Sequence, residues 1–227
     1  MKHSRCGFTL IEIMAAIFIF ALLLSTLYGS FRLLLNSDDA LGNSSVQLEM
    51  AQSCLARMAS DIEAIYVTLP PAYKQPEING PPDPYRITGE ASFLEGHSFS
   101  RFRFTSLEHF SFIGPKIEGV AEIVYYVAAL KDGGYVLRRA DQLFPYKEFE
   151  EKDTDPILCK NIIDFSVKYY DEDGKETESW DSESSDSDFA TPRSVGITLR
   201  IGNEEKPMVF STRIQIPVYR EKIVSPS

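Results

Sequence analysis

Gly7, Phe8 and Glu12 are the residues of this 227-residue chain whose types and spacing could support chemistry. The Gly7–Phe8 peptide bond follows a short basic leader holding Lys2 and Arg5 and stands directly before a long apolar run. Hydrolysis there would leave a new α-amino group on Phe8, a cation at nearly the same depth as the Glu12 carboxylate. A carboxylate this close to the start of an apolar run is costly in lipid unless it meets a partner. The Phe8 terminus of a neighbouring copy or related subunit would supply one, and the pair would fix the axial register of helices packed side by side. The competing reading is that Glu12 snorkels to the headgroups near the helix end.

The element that must position these groups is a membrane helix. Residues 13–31 contain no charged residue and no proline. At about 1.5 Å per residue they reach nearly 30 Å, enough to cross a bilayer core. A secretory signal peptide would have a shorter apolar core ending at a small-residue cleavage site, whereas this run ends in Leu33, Leu34, Leu35 and Asn36. Lys2 and Arg5 precede the span, while Asp38, Asp39 and Glu49 follow it with Arg32 as the nearby cation. The charge asymmetry predicts a cytoplasmic N-terminus and a remainder across the membrane.

Composition narrows the function classes. With 44% hydrophobic and 25% charged residues the chain has room for the helix and one globular domain. The net charge is −10, and losing Lys2 and Arg5 with the leader leaves 21 basic against 33 acidic residues, or −12. A phosphate backbone would be repelled, so nucleic-acid binding is disfavoured. Cys6 would leave with the leader, and no lipobox-like sequence precedes it. Cys54 and Cys159 remain, either as a disulfide in a compartment that permits one or as two free buried thiols. His3, His97 and His109 are scattered and lack zinc-ligand spacing, so no metal site and no cofactor is expected.

Beyond the span the helical pattern continues. Leu48, Ala51, Cys54 or Leu55, Met58, Ile62 and Ile65 recur at steps of three and four and form an amphipathic stripe. With no proline before Pro70, one helix is predicted over residues 8–65, its second half packed on the domain. Residues 66–90 are proline-rich and predict an irregular connection. Strands are then predicted at 98–105, 122–130, 135–140, 162–170, 195–201 and 209–216, with an aromatic run at 110–113. Lys131, Asp132, Gly133 and Gly134 make a hairpin connection. Antiparallel sheet with one face on the long helix follows, an α+β class.

The segment 171–188 is dense in Asp, Glu and Ser around the lone Trp180. Its Asp171-Glu172-Asp173-Gly174 start makes calcium conceivable, but the spacing and terminal glutamate of a calcium-binding helix–loop–helix are missing. It is predicted to be a solvated, mobile loop. No nucleophile elbow or phosphate-cradling glycine loop is present, and His97 and His109 read as surface or strand-end residues. The chain is therefore expected not to be an enzyme.

Gly7-Phe8-Thr9-Leu10-Ile11-Glu12 resembles the leader of type IV pilins and pseudopilins. In that superfamily a prepilin peptidase cuts after the glycine and methylates the new N-terminus, which here implies cleavage between Gly7 and Phe8, N-methylation of Phe8 and an assembly role for Glu12. Farther on, Tyr169-Tyr170-Asp171 with Gly174, then Trp180-Asp181, then Pro192-Arg193-Ser194-Val195-Gly196-Ile197-Thr198-Leu199 is similar to the C-terminal pattern of the minor pseudopilin J family of type II secretion systems. Thr191 stands where that pattern carries leucine, and the Ser/Asp/Glu insertion after Trp180 is longer than in compact members.

The resemblance implies a type IV pilin-like fold divided as leader 1–7, transmembrane segment 8–35, periplasmic half-helix 36–65 and β-rich head 66–227. It implies a structural role in the pseudopilus tip that supports export of folded proteins across the outer membrane. The partners it implies are minor pseudopilins I and K, the major pseudopilin, the processing peptidase and the inner membrane, with the C-terminal domain in the periplasm. The alternatives are a minor pilin of a type IV pilus, and a plain membrane-anchored receptor or enzyme.

Overall fold

The stripe that reaches Met58 and Ile62 must bury its apolar side, and the strands after it supply the surface. The computed structural model describes residues 10–77, 80–109 and 119–223, with the helix followed through 30–44 as backbone. Gly7, Phe8 and the aromatic run at 110–113 lie outside the described residues. The chain divides into two compact units, Met1–Leu48 and Glu49–Ser227.

One helix, α1, runs Leu10–Glu63. Its apolar stripe is buried from Ala51 through Cys54, Met58 and Ile62, so Cys54 rather than Leu55 is the inward member of that turn. The helix stops two residues short of the predicted Ile65 because sheet pairing takes over. Ile65 bridges Ser106, Tyr66 N–H donates to the Thr105 carbonyl at 2.8 Å, and Leu107 N–H donates to the Ala64 carbonyl at 3.0 Å.

Among the described residues ten strands follow, paired antiparallel throughout. In chain order they are β1 Thr88–Leu94, β2 His97–Ser106, β3 Ala121–Ala129, β4 Tyr135–Leu143, β5 Ile157–Lys160, β6 Ile162–Tyr170, β7 Glu176–Thr177, β8 Trp180–Asp181, β9 Ser194–Asn203 and β10 Lys206–Gln215. They form a six-stranded sheet ordered β5-β4-β3-β2-β1-β8 and a four-stranded sheet ordered β10-β9-β6-β7. One apolar core joins α1 from Ala51 onward to Phe102, Phe104, Ile123 and Tyr125 of the first sheet and to Phe165, Val167, Val195 and Leu199 of the second.

The period-2 pattern of β2 explains its two faces. Phe102 and Phe104 are fully buried toward the helix, while Arg101 and Arg103 point to the opposite side. β3 is buried along almost its whole length, which fits its near-continuous apolar run. The connection after β4 roofs its outer face: Tyr126 Oη donates to Asp155 at 2.7 Å, Tyr146 Oη donates to the Val120 carbonyl at 3.0 Å, and Phe149 meets the Tyr126 ring edge-on.

Two sequence expectations are corrected. The proline-rich stretch is irregular only to residue 87, because Thr88, Gly89 and Glu90 already belong to β1 and pair with Arg103, Phe102 and Arg101. Gly89 is required there, since an added Cβ would sit 1.8 Å from the Tyr169 hydroxyl oxygen. The acidic segment is also not a solvated loop throughout. It contributes β7 and β8, which extend the two sheets, and it buries Ser182 and Glu183.

Candidate assembly site

Residues Leu10–Gly29 form an apolar helical span with a mean hydropathy of 2.5, and none of its side chains is buried within the chain. Leu10, Ile11, Phe18 and Tyr28 are all more than 60% exposed. Such a surface is stable only in lipid or against other apolar helices. Glu12 is the one charged side chain in this span and lies in the first turn of α1, where exposed amide N–H groups favour a carboxylate.

In the head, a buried ionic cluster holds the C-terminal end of α1. Asp61 Oδ2 accepts from Arg139 Nε at 2.7 Å, and Asp61 Oδ1 pairs with Arg57 Nη2 at 2.6 Å. The Tyr125 hydroxyl donates to the same carboxylate. Arg139 continues to Asp141 at 2.6 Å, and Asp141 meets His109 Nδ1 at 2.7 Å. Burial works against the Arg139 charge, but the hydrogen bonds and charge of Asp61, with Asp141, outweigh it and raise its pKa. Burial and then the Asp61 charge push the Tyr125 hydroxyl well up, so it stays a donor.

A second cluster secures the chain's C-terminal segment. Arg220 is 1% exposed and donates to the carbonyls of Ser182 and Phe189, both at 2.6 Å, and to Glu183 Oε1 at 2.6 Å. Its guanidinium lies 3.4 Å over the Tyr73 ring, and the Tyr73 hydroxyl returns to Glu183 at 3.1 Å. Desolvation raises the Glu183 pKa, and the contact with Arg220 partly offsets it. One side chain thus joins the proline-rich connection, the acidic segment and the chain's end.

The remaining chemistry-bearing residues have structural surroundings. Cys54 and Cys159 are free thiols buried in one core cluster. Burial pushes Cys159 up to about 11 and Cys54 higher, the latter also through the neighbouring Cys159. His97 stacks at a strand end on Phe99 and faces Tyr135, and the His109 ring is held at Asp141 as described. The Asp171-Glu172-Asp173 corner faces the Lys222 ammonium, 2.9 Å from Asp173 and 3.2 Å from Glu172. Among the described residues no group of three or more His, Cys, Asp and Glu is arranged to hold a metal ion.

Sequence reasoning missed Asp61, Arg139 and Arg220. Asp61 had a signal, a carboxylate beside Met58 and Ile62 on the buried stripe. Arg220 had none, since its partners lie 29 to 152 residues away. Trp180 is half-buried. It packs against the core, and its indole N–H donates to the Ala190 carbonyl at 3.0 Å.

No curated relative matches the chain. The family profile described as the prokaryotic N-terminal methylation motif matches residues 2–28. A second, described as type II secretion system protein J, matches residues 29–212, well over half of the chain. With a leader motif, a single apolar anchor helix and an antiparallel β head in that order, the chain belongs to the protein J family of the type II secretion system.

Proposed function

We propose that this pseudopilin is a subunit of the pseudopilus tip complex, joining minor pseudopilins I and K and priming a fibre of the major pseudopilin that supports export of folded proteins. The protein J family is one of structural minor pseudopilins with a single N-terminal membrane anchor. In this reading a prepilin peptidase hydrolyses the Gly7–Phe8 bond and the Phe8 amine is methylated. The N-terminus starts in the cytoplasm and the head lies in the periplasm. Glu12 then pairs with the Phe8 ammonium of the adjacent subunit and sets the stagger between stems.

The observation that carries this reading is Glu12 as the one charge on an otherwise apolar, uncovered helical span. A buried carboxylate with a cationic partner is retained where register matters.

The test uses the full chain in detergent, purified with tagged candidate I and K subunits, with and without Glu12→Ala. Retention of both partners by the unaltered chain is expected. Glu12→Ala is expected to be cut normally after Gly7 yet to support secretion poorly. Failure of the folded chain to retain either partner would sink the tip assignment, and normal secretion by Glu12→Ala would sink the role of the carboxylate.

A further inference from the structure

The strands that terminate the two sheets differ greatly in length. β5 has 4 residues, and β7 and β8 have 2 each. β10, the remaining terminal strand, has 10 residues, Lys206–Gln215, and β9 is its one strand neighbour among the described residues. A long terminal strand presents a row of unpaired N–H and C=O groups, a template for another strand.

The phase of the ladder between β9 and β10 decides which groups are open. Ile216 N–H donates to the Arg193 carbonyl at 3.0 Å, continuing the register in which Ile214 faces Val195. Gly202, opposite Pro207, turns its N–H the other way, to the Asn161 carbonyl at 2.9 Å. Antiparallel pairs alternate between bonded and unbonded, so Met208, Phe210, Thr212 and Ile214 turn their backbone groups to β9. Val209, Ser211, Arg213 and Gln215 turn theirs outward. Among the described residues nothing bonds to these outward N–H groups.

Edges are commonly guarded by proline, by charge or by a covering element. Here Pro207 and Pro217 bracket the open stretch and leave its middle clear, and Lys206 stands at the hairpin end. Arg213 is the one charged residue between the two prolines. Its guanidinium lies 3.7 Å over the Tyr170 ring of β6, and its Nε donates to Ser194 Oγ of β9 at 2.8 Å. The charge therefore leans inward across the sheet and leaves the edge unguarded. On the solvent side Val209 is 58% exposed.

We propose that β10 is a docking edge, on which an extended segment of another subunit of the secretion assembly adds as a further strand. Main-chain hydrogen bonds at Val209, Ser211, Arg213 and Gln215 hold the segment, and its alternate side chains meet Val209 and Ser211. A second copy of β10 fits this edge less well. The strand carries Lys206 and Arg213 and no carboxylate, so self-pairing would bring only cations to the seam. The occupant is instead a strand of a different polypeptide with neutral or acidic side chains. The edge belongs to the head and not to the apolar stem, so it depends neither on Glu12 nor on which pseudopilins form the tip.

Proline at an outward position separates docking from folding, because it deletes an N–H that the chain itself leaves unbonded. Val209→Pro and Ser211→Pro in the full chain are expected to keep a thermal midpoint close to that of the unaltered protein in detergent. In cells with the intact secretion system they are expected to lower secretion by about tenfold or more at unchanged abundance of the chain. Ser211→Thr keeps the N–H and is expected to secrete normally. Residue-resolved amide exchange of the full chain in detergent is expected to be fast at Val209, Ser211 and Arg213 and slow at Phe210, Thr212 and Ile214.

Normal secretion by both proline variants would overturn the proposal. So would an equal loss in Ser211→Thr, which would point to the hydroxyl and not the backbone. A large drop in midpoint for both proline variants, or slow exchange at the outward amides, would show that the chain already uses this edge itself. Sedimentation of the unaltered full chain addresses self-pairing: a dimer that Ser211→Pro breaks would assign the edge to a second copy and overturn docking of another subunit.

Discussion

Asp61 Oδ2 accepts from Arg139 Nε at 2.7 Å across 78 residues of chain, with Asp61 fully buried and Arg139 3% exposed. The bond joins the last turns of α1 to β4, so the helix end cannot rotate or slide relative to the six-stranded sheet without leaving a charge unpaired in the core. Removing one partner of such a pair costs about 3–5 kcal/mol, more than most single changes. Asp61→Ala in the full chain is therefore expected to lower the thermal midpoint by many degrees, whereas Asp61→Leu with Arg139→Met should recover much of the loss. The midpoints of the three proteins decide the matter, and a harmless Asp61→Ala would refute the clamp.

Arg220 and Glu183 should behave as a second such pair. Arg220→Ala leaves Glu183 buried without its partner at 2.6 Å and frees the carbonyls of Ser182 and Phe189. A cost of about 3–5 kcal/mol is expected, together with new protease cleavage within 171–188 that the unaltered chain resists. Cleavage patterns by mass spectrometry test this. Identical patterns would show that the segment is held by other contacts.

Gly89 and Tyr169 make a close approach that admits no side chain. Gly89→Ala would force its Cβ against the Tyr169 ring and hydroxyl and is expected to destabilise by about 1–3 kcal/mol. Tyr169→Phe is expected to be neutral or stabilising, because the hydroxyl it removes is buried and unpartnered. Denaturant midpoints of the two variants should move in these different directions.

Stability should fall in alkali through the buried thiols. Cys159 is raised from 9.0 to about 11 by burial, and Cys54 is raised further. Between these values the unfolded chain loses thiol protons that the folded chain keeps, so the folded state binds more protons and stability declines as pH rises. The contribution is complete below pH 9 and diminishes as pH climbs toward 11 and beyond. A Cys54→Ala, Cys159→Ala protein should show a shallower decline over that window in pH-resolved thermal melts. An unchanged slope would assign the decline to the buried tyrosines instead.

The membrane span, Glu12, the strand β6 and most of the antiparallel order were legible in the residues, because each is a matter of local periodicity or of one charge out of place. Phe165 to Tyr170 alternates between buried and half-buried residues, and the buried stripe from Ala51 to Ile62 follows helical steps. Local composition misled where pairing decided. Thr88 to Glu90 follow six prolines, yet the partner strand β2 draws them into the sheet, and the Ser/Asp/Glu segment is ordered because Arg220 reaches it from 37 residues away.

What the amino-acid order determined alone was therefore the leader motif, the anchor, the lone carboxylate Glu12 within it and a β-rich head. These depend on hydropathy, charge and spacing within a few residues. Only the tertiary structure decided that Asp61 meets Arg139 and that Arg220 meets Glu183. Those relations depend on which strands become neighbours, a choice made by burial of the whole core and invisible in any local pattern.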